Sequence, residues 1–234
     1  MTIKEMHYDF KKKFNKVDSQ KNRNVLVPEI DWFLNEAEEI FIKLIAEPRG
    51  KSNLGFETSQ RTTEDIKSIV VSKIIVPNPI TKVVSLPVDY KYYIAGNCTI
   101  TKEKCANKKA KFFIVQHDDE NEDSIFNESS FEWREVNAVF NSNGLQVFTD
   151  GTFTVNNVSI TYIRKTLYMH NAEDFRVGGY IMPSGVALTG SVNCELPDHT
   201  HREIVDIAVM LASSEIQTSD YQVKLNKLNF NQII

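Results

Sequence analysis

Between Ile74 and Arg164 the chain is written in short runs of β-branched and aromatic residues, whereas on both sides of that block apolar residues recur at helical spacing. One element cannot serve both patterns: a repeat of two buries one face of a strand, and a repeat of about 3.6 buries one stripe of a helix. Their segregation along the sequence predicts an α+β protein. It has N-terminal helices, a β-rich central sandwich or barrel-like region, and a C-terminal helix. The corresponding divisions are 1–70, 71–195 and 196–234, read as parts of one integrated domain.

At the N-terminus Ile3, Met6, Phe10, Phe14 and Val17 fall on one helical face, with lysines at 4, 11, 12, 13 and 16 elsewhere on its surface. Such a basic amphipathic helix suits a membrane surface, a neighbouring subunit or its own domain. Ser19–Asn24 reads as a loop. Pro28 then sits in the first turn of a second helix, where its missing N–H goes unnoticed. The stripe Ile30, Phe33, Leu34, Ala37, Ile40, Phe41, Leu44 and Ile45 runs until Pro48 and Gly50 end it. After a polar loop over 51–61, Thr62-Thr63-Glu64-Asp65 has the pattern of a capped short helix.

Strands are predicted at Thr81–Leu86, Asn97–Lys102, Phe112–Gln116, Trp133–Phe140, Gln146–Thr149, Thr152–Val155 and Ile160–Arg164. Tyr90, Tyr92, Tyr93 and Ile94 read as a short helix or turn, and Asp150-Gly151 as a tight hairpin between Phe148 and Phe153. Gly178-Gly179, Pro183-Ser184-Gly185 and Gly190 punctuate a loop-rich stretch. A closing helix runs from about Pro197 to Ile216, burying Ile204, Ile207, Ala208 and Leu211, and Thr200 with Glu203 has capping-box spacing.

Several function classes fall away on composition. A net charge of −4 provides no overall basic field for a dedicated nucleic-acid binder. The cysteines, Cys98, Cys105 and Cys194, are odd in number and form no CxxC pair, which points to a reducing compartment without disulfides or structural zinc. No apolar signal region opens the chain, and no apolar run is long enough to span a bilayer, so the expectation is a soluble product made in a cytoplasm, with no membrane partner.

The strongest chemical candidate is the cluster Cys194, Glu195, Asp198, His199, His201 and Glu203. These are zinc-ligand types, but residues two apart on a helix point about 200° apart, so His199 and His201 cannot both face one ion there. The acidic residues instead suit a helix N-terminus. In the run His117–Asp123, residues Asp119, Asn121 and Asp123 alternate like a calcium loop, yet Ser124 replaces the glycine and Ser130 the bidentate Glu. That run reads as a solvated loop. The five histidines, His7, His117, His170, His199 and His201, sit in no nucleophile motif; GxSxG and HExxH are absent, and Gly178-Gly179 stands alone. Cys98 and Cys105 read as packed or inert thiols. No catalytic, cofactor or metal residue is assigned, and no enzyme is expected. Trp32, Trp133 and the Tyr90/Tyr92/Tyr93 group suit interface anchors, although Trp133 in an alternating strand reads as core.

Three stretches carry a family resemblance: Asp18–Asn24 leading into Pro28–Ala37; Ile160-Thr161-Tyr162-Ile163-Arg164-Lys165; and Glu195-Leu196-Pro197-Asp198-His199-Thr200-His201-Arg202-Glu203-Ile204-Val205-Asp206-Ile207-Ala208. A "YIRK" strand followed by a Leu-Pro-acidic-His opening into "EIVDIAV" resembles virion structural proteins of crAss-like gut phages. More specifically, it is similar to the ring proteins of their head-to-tail connector. The resemblance spans most of the chain and rests on texture rather than on a catalytic signature. It implies a homo-oligomeric ring below the portal, following the portal's twelve-fold symmetry, with the portal and adjacent connector or tail ring proteins as partners. Genomic DNA would pass through the lumen without specific binding, since phosphate binding needs clustered Lys and Arg. The virion would be the protein's location. A tail-hub or receptor-binding accessory virion protein is the alternative, and a metal-dependent enzyme using His199, His201 and Cys194 a more distant one.

Overall fold

The computed structural model describes residues 1–14, 25–46, 60–103, 105–116 and 129–215. Val17, the Ser19–Asn24 loop, the helix stop at Pro48 and Gly50, most of the 51–61 loop, the acidic run His117–Asp123 and the end of the closing helix at Ile216 lie outside them. The fold is α+β, with N-terminal helices, a curled seven-stranded sheet resembling a half-barrel, and a helix towards the C-terminus.

Two compact units divide the chain: a helical one from Met1–Ser68 with Thr166–Ile234, and a sheet from Ile69–Lys165. The second boundary therefore falls near 165 rather than at 195. Within 166–195, Thr166, Met169, Asn171, Tyr180 and Cys194 all bond to one helix of the first unit.

In the helical unit, α1 (Ile3–Phe14) and α2 (Val27–Ala46) are followed by the short α3 (Gln60–Ile66) and, later, by α4 (His201–Glu215). The apolar face of α1 is fully used: Ile3, Met6, Phe10 and Phe14 are buried, and Phe10 stacks on Phe14 and on Phe33 of α2. Of the readings open for that helix, it packs on its own unit, against α4 and α2. The stripe of α2 buries Ile30, Phe33, Leu34, Ala37 and Phe41, and α4 buries Ile204, Val205, Ile207, Ala208 and Ala212. A small hairpin of β8 (Gly179–Ile181) and β9 (Ala187–Thr189) belongs to the same unit.

The sheet unit contains β1 (Val70–Ile75), β2 (Val83–Val84), β3 (Tyr90–Lys102), β4 (Cys105–Ile114), β5 (Glu135–Asn141), β6 (Gly144–Val147) and β7 (Thr154–Arg164), in the order β1-β7-β3-β4-β5-β6-β2. All neighbours are antiparallel except β4 with β5. Alternation places Val158, Ile160 and Tyr162 of β7 on one face, where they join Cys98, Ile100, Phe112, Val136 and Leu145 in the core.

Several strand expectations need correction. Tyr90–Ile94 is neither helix nor turn but the bulged first half of β3, whose register against β7 slips between Tyr90 and Tyr92 and again between Tyr93 and Ala95. Each slip adds a residue to one strand and lets the long strand bend. Gly96 permits that curvature, because a Cβ there would strike the Tyr93 hydroxyl and the Phe112 ring. Asp150-Gly151 does not close a hairpin. The turn has the expected chemistry, with Asp150 accepting from the Thr152 N–H at 2.7 Å and Gly151 at φ +81°, but it joins β6 and β7, which are not neighbours in the sheet. Trp133 is 81% exposed in the turn before β5, not in the core, because the strand starts only at Glu135. The closing helix begins at His201, with Thr200 directly before it as its spacing suggested; the Thr200 hydroxyl donates to the Pro197 carbonyl.

Candidate functional site

On α2, Asp31, Asn35 and Glu38 follow one another at i, i+4 and i+7, which places them on one helix face. Asp31 is 0% and Glu38 1% exposed, so this is a polar stripe inside the unit. A buried carboxylate is tolerable only if its lone pairs are taken up. Asp31 accepts from His7 Nε2 at 2.7 Å, from the Asn171 N–H at 3.1 Å and from the Tyr180 hydroxyl at 2.8 Å. Asn35 pairs with the backbone of Met169 in both directions, donating to its carbonyl and accepting from its N–H. Glu38 accepts from the Thr166 hydroxyl at 2.7 Å and from the Cys194 thiol at 3.3 Å. The stripe thus tethers α1, the chain from Thr166 to Asn171, β8 and Cys194 to a single helix.

A carboxylate can only accept, so the proton shared between His7 and Asp31 sits on Nε2. That half of the arrangement is the base-and-orienter geometry of acid–base catalysis. The other half is missing: His7 Nδ1 is buried, and among the described residues no hydrogen-bonding group reaches it. The His7–Asp31 pair is a tether.

Tyr180, which bonds Asp31 of the stripe, also lines a groove of about 410 Å3 together with Val25, Pro28, Glu29, Trp32, Phe33, Tyr168, Ile181, Met182, Pro183 and Glu215. Trp32 is 54% and Ile181 72% exposed there. Burial first, and the neighbouring Asp31 second, push the Tyr180 hydroxyl far above the ordinary tyrosine range. Burial likewise raises Tyr168. Both therefore remain neutral hydrogen-bonding groups at physiological pH. Apolar walls with a few oriented hydroxyls suit binding of an apolar or extended partner.

The cluster that looked most like a metal site is dispersed. His199 Nε2 meets Asp65 of α3 at 2.7 Å, and His201 Nε2 donates to the Leu196 carbonyl at 2.8 Å. Asp198 pairs with the amino group of Met1 at 2.7 Å, Cys194 bonds Glu38, and Glu195 accepts from the Leu167 N–H. Asp198 and His201 also approach each other, at 3.7 Å, but Cys194, Glu195 and His199 are engaged by other partners. Among the described residues no group of three or more His, Cys, Asp and Glu side chains could hold a metal ion. Burial raises the Cys194 thiol strongly, Glu38 adding to it, and lifts Cys98 to about 12, so neither supplies a thiolate. Cys105 is exposed at the start of β4.

A second surface feature belongs to the sheet unit. β1 is an end strand of the sheet, and Ile74 on it and Val76 just past it stand 73% and 72% exposed. Neither this edge nor the stripe on α2 was singled out by sequence. The signal for the stripe was present in the spacing of Asp31, Asn35 and Glu38, which flanks the apolar face instead of opposing it.

No protein-family model matches the chain, and a comparison with curated proteins gives no significant match. Among the described residues no helix is long and apolar enough to cross a membrane.

Proposed function

We propose that this chain is a structural subunit of an oligomeric ring in a phage head-to-tail connector, linking portal to tail around the DNA channel. The exposed edge of the sheet unit is the observation that carries the reading. An open strand with large apolar side chains in solvent is an aggregation hazard unless a partner covers it. In a closed ring a neighbouring copy covers each such edge through a repeated heterologous contact. The sequence texture of "YIRK" and "EIVDIAV" supplies the particular assembly, and with it the portal, adjacent connector or tail rings and a virion location. A net charge of −4 suits a channel that DNA passes without being held. The role is architectural, with no cofactor.

Light scattering of purified protein tests the interface. Wild type should give a concentration-dependent mass well above that of one chain. Ile74→Lys with Val76→Lys should shift it towards monomer while far-UV circular dichroism stays unchanged. A strictly monomeric wild type at high concentration, or an oligomer indifferent to both lysines, would remove the edge from the account.

A further inference from the structure

We infer that the groove at Trp32 binds a small organic cation, an ammonium group carried on an apolar body. Every residue lining it belongs to the helical unit. Four of them are aromatic: Trp32, Phe33, Tyr168 and Tyr180. The faces of such rings attract a cation, tryptophan most strongly, and more so where water is excluded. Two lining side chains are charged, Glu29 and Glu215, and both are carboxylates. Among the described residues no lysine, arginine or histidine lines the groove to offset them. Tyr168 and Tyr180 add no charge of their own, since burial keeps both hydroxyls protonated. The rest of the lining is aliphatic, proline or methionine.

This combination discriminates between classes of ligand. An anion would meet two like charges, and an inorganic cation would trade its hydration shell for apolar walls. A neutral apolar molecule would gain nothing from the carboxylates. An amine on a hydrocarbon or aromatic stem uses the carboxylates, the rings and the apolar walls together. The two carboxylates come from different helices. Glu29 stands in the first turn of α2, where its carboxylate accepts from the Leu26 N–H at 2.9 Å, and Glu215 is on α4. The volume of 410 Å3 lies towards the lower end of the range of about 300–1,000 Å3 typical of small-molecule sites. The inference is independent of the connector reading, which rests on the edge of the other unit.

Fluorescence titration tests it in the full-length chain carrying Trp133→Phe, where Trp32 is the sole tryptophan. Three probes of similar shape are compared: phenethylammonium, phenethyl alcohol and hydrocinnamate. Phenethylammonium should give a saturable change in Trp32 emission, with the alcohol binding about tenfold more weakly and the carboxylate more weakly still. Glu215→Gln and Glu29→Gln keep the size of the side chain and, at position 29, an acceptor for the Leu26 N–H. Together they should weaken phenethylammonium about tenfold and leave the alcohol unchanged. Equal binding of the ammonium and the alcohol would overturn the inference, as would the absence of any saturable change. Ammonium affinity indifferent to both glutamines, or equal weakening of ammonium and alcohol by them, would overturn it as well.

Discussion

Replacing Asp31 probes the tether that organises the helical unit, and alanine and asparagine should behave differently there. Asp31→Ala removes the acceptor from His7 Nε2–H, the Asn171 N–H and the Tyr180 hydroxyl at once. His7 and Asn171 are 4% and 1% exposed, so their donors gain no water in exchange. Tyr180 is only part-buried and lines the groove, so its hydroxyl can turn to solvent. Each orphaned buried donor costs about 1–3 kcal/mol, and breaking a buried charged contact from one side about 3–5 kcal/mol. The alanine variant should therefore lose about 3–5 kcal/mol, a large share of a stability of about 5–15 kcal/mol. Asp31→Asn keeps one carbonyl oxygen for His7 and Asn171 and turns its NH2 towards Tyr180, which accepts as readily as it donates. Its loss should be only about 1–2 kcal/mol. Urea titration followed by Trp32 fluorescence, in a Trp133→Phe background, reports on this unit directly. Equal losses for the two variants, or a loss below about 1 kcal/mol for alanine, would refute the tether.

Three further outcomes follow from the geometry. Asp89 is held below its ordinary carboxylate range first by its hydrogen bond with Lys73 and also by the Tyr162 hydroxyl, so it contributes stability above the unfolded value of 3.8 and loses it as pH falls through the lower folded value. Thermal unfolding between about pH 2 and 5 should show that acid limb diminished in Asp89→Asn. Gly144→Ala should destabilise by about 2–4 kcal/mol in chemical denaturation, because Gly144 sits at φ +132° and a Cβ would run into the Val84 carbonyl. Of the three cysteines, Cys105 alone should react quickly with a thiol reagent in the native state, with Cys98 and Cys194 following only on unfolding.

Where the hydrophobic period was strong, the sequence was a reliable guide: α1, α2 and α4 fall where their stripes predict. Strands failed where polar residues occupy the outward positions. Two segments, Thr152–Val155 and Ile160–Arg164, are one strand, β7, because Asn156 looks like a turn residue yet its amide bonds Thr101 and Asn107 across the sheet surface. Most of β4, from Cys105 to Lys111, was missed because Lys109 and Lys111 are exposed on either side of buried Ala110. β1 was missed altogether; its partner β7 lies far along the chain, and local composition does not report a long-range pairing. The α2 stripe was concealed similarly, since burial of Asp31 depends on Asn171 and Tyr180, which no local pattern connects to it.

An averaged image of the portal vertex of particles carrying this protein, with the chain labelled, tests the proposed connector role. A connector subunit should appear as a closed ring of copies between portal and tail, with β1 edges at the subunit boundaries. Label at the tail tip, or a protein absent from mature particles, would contradict it.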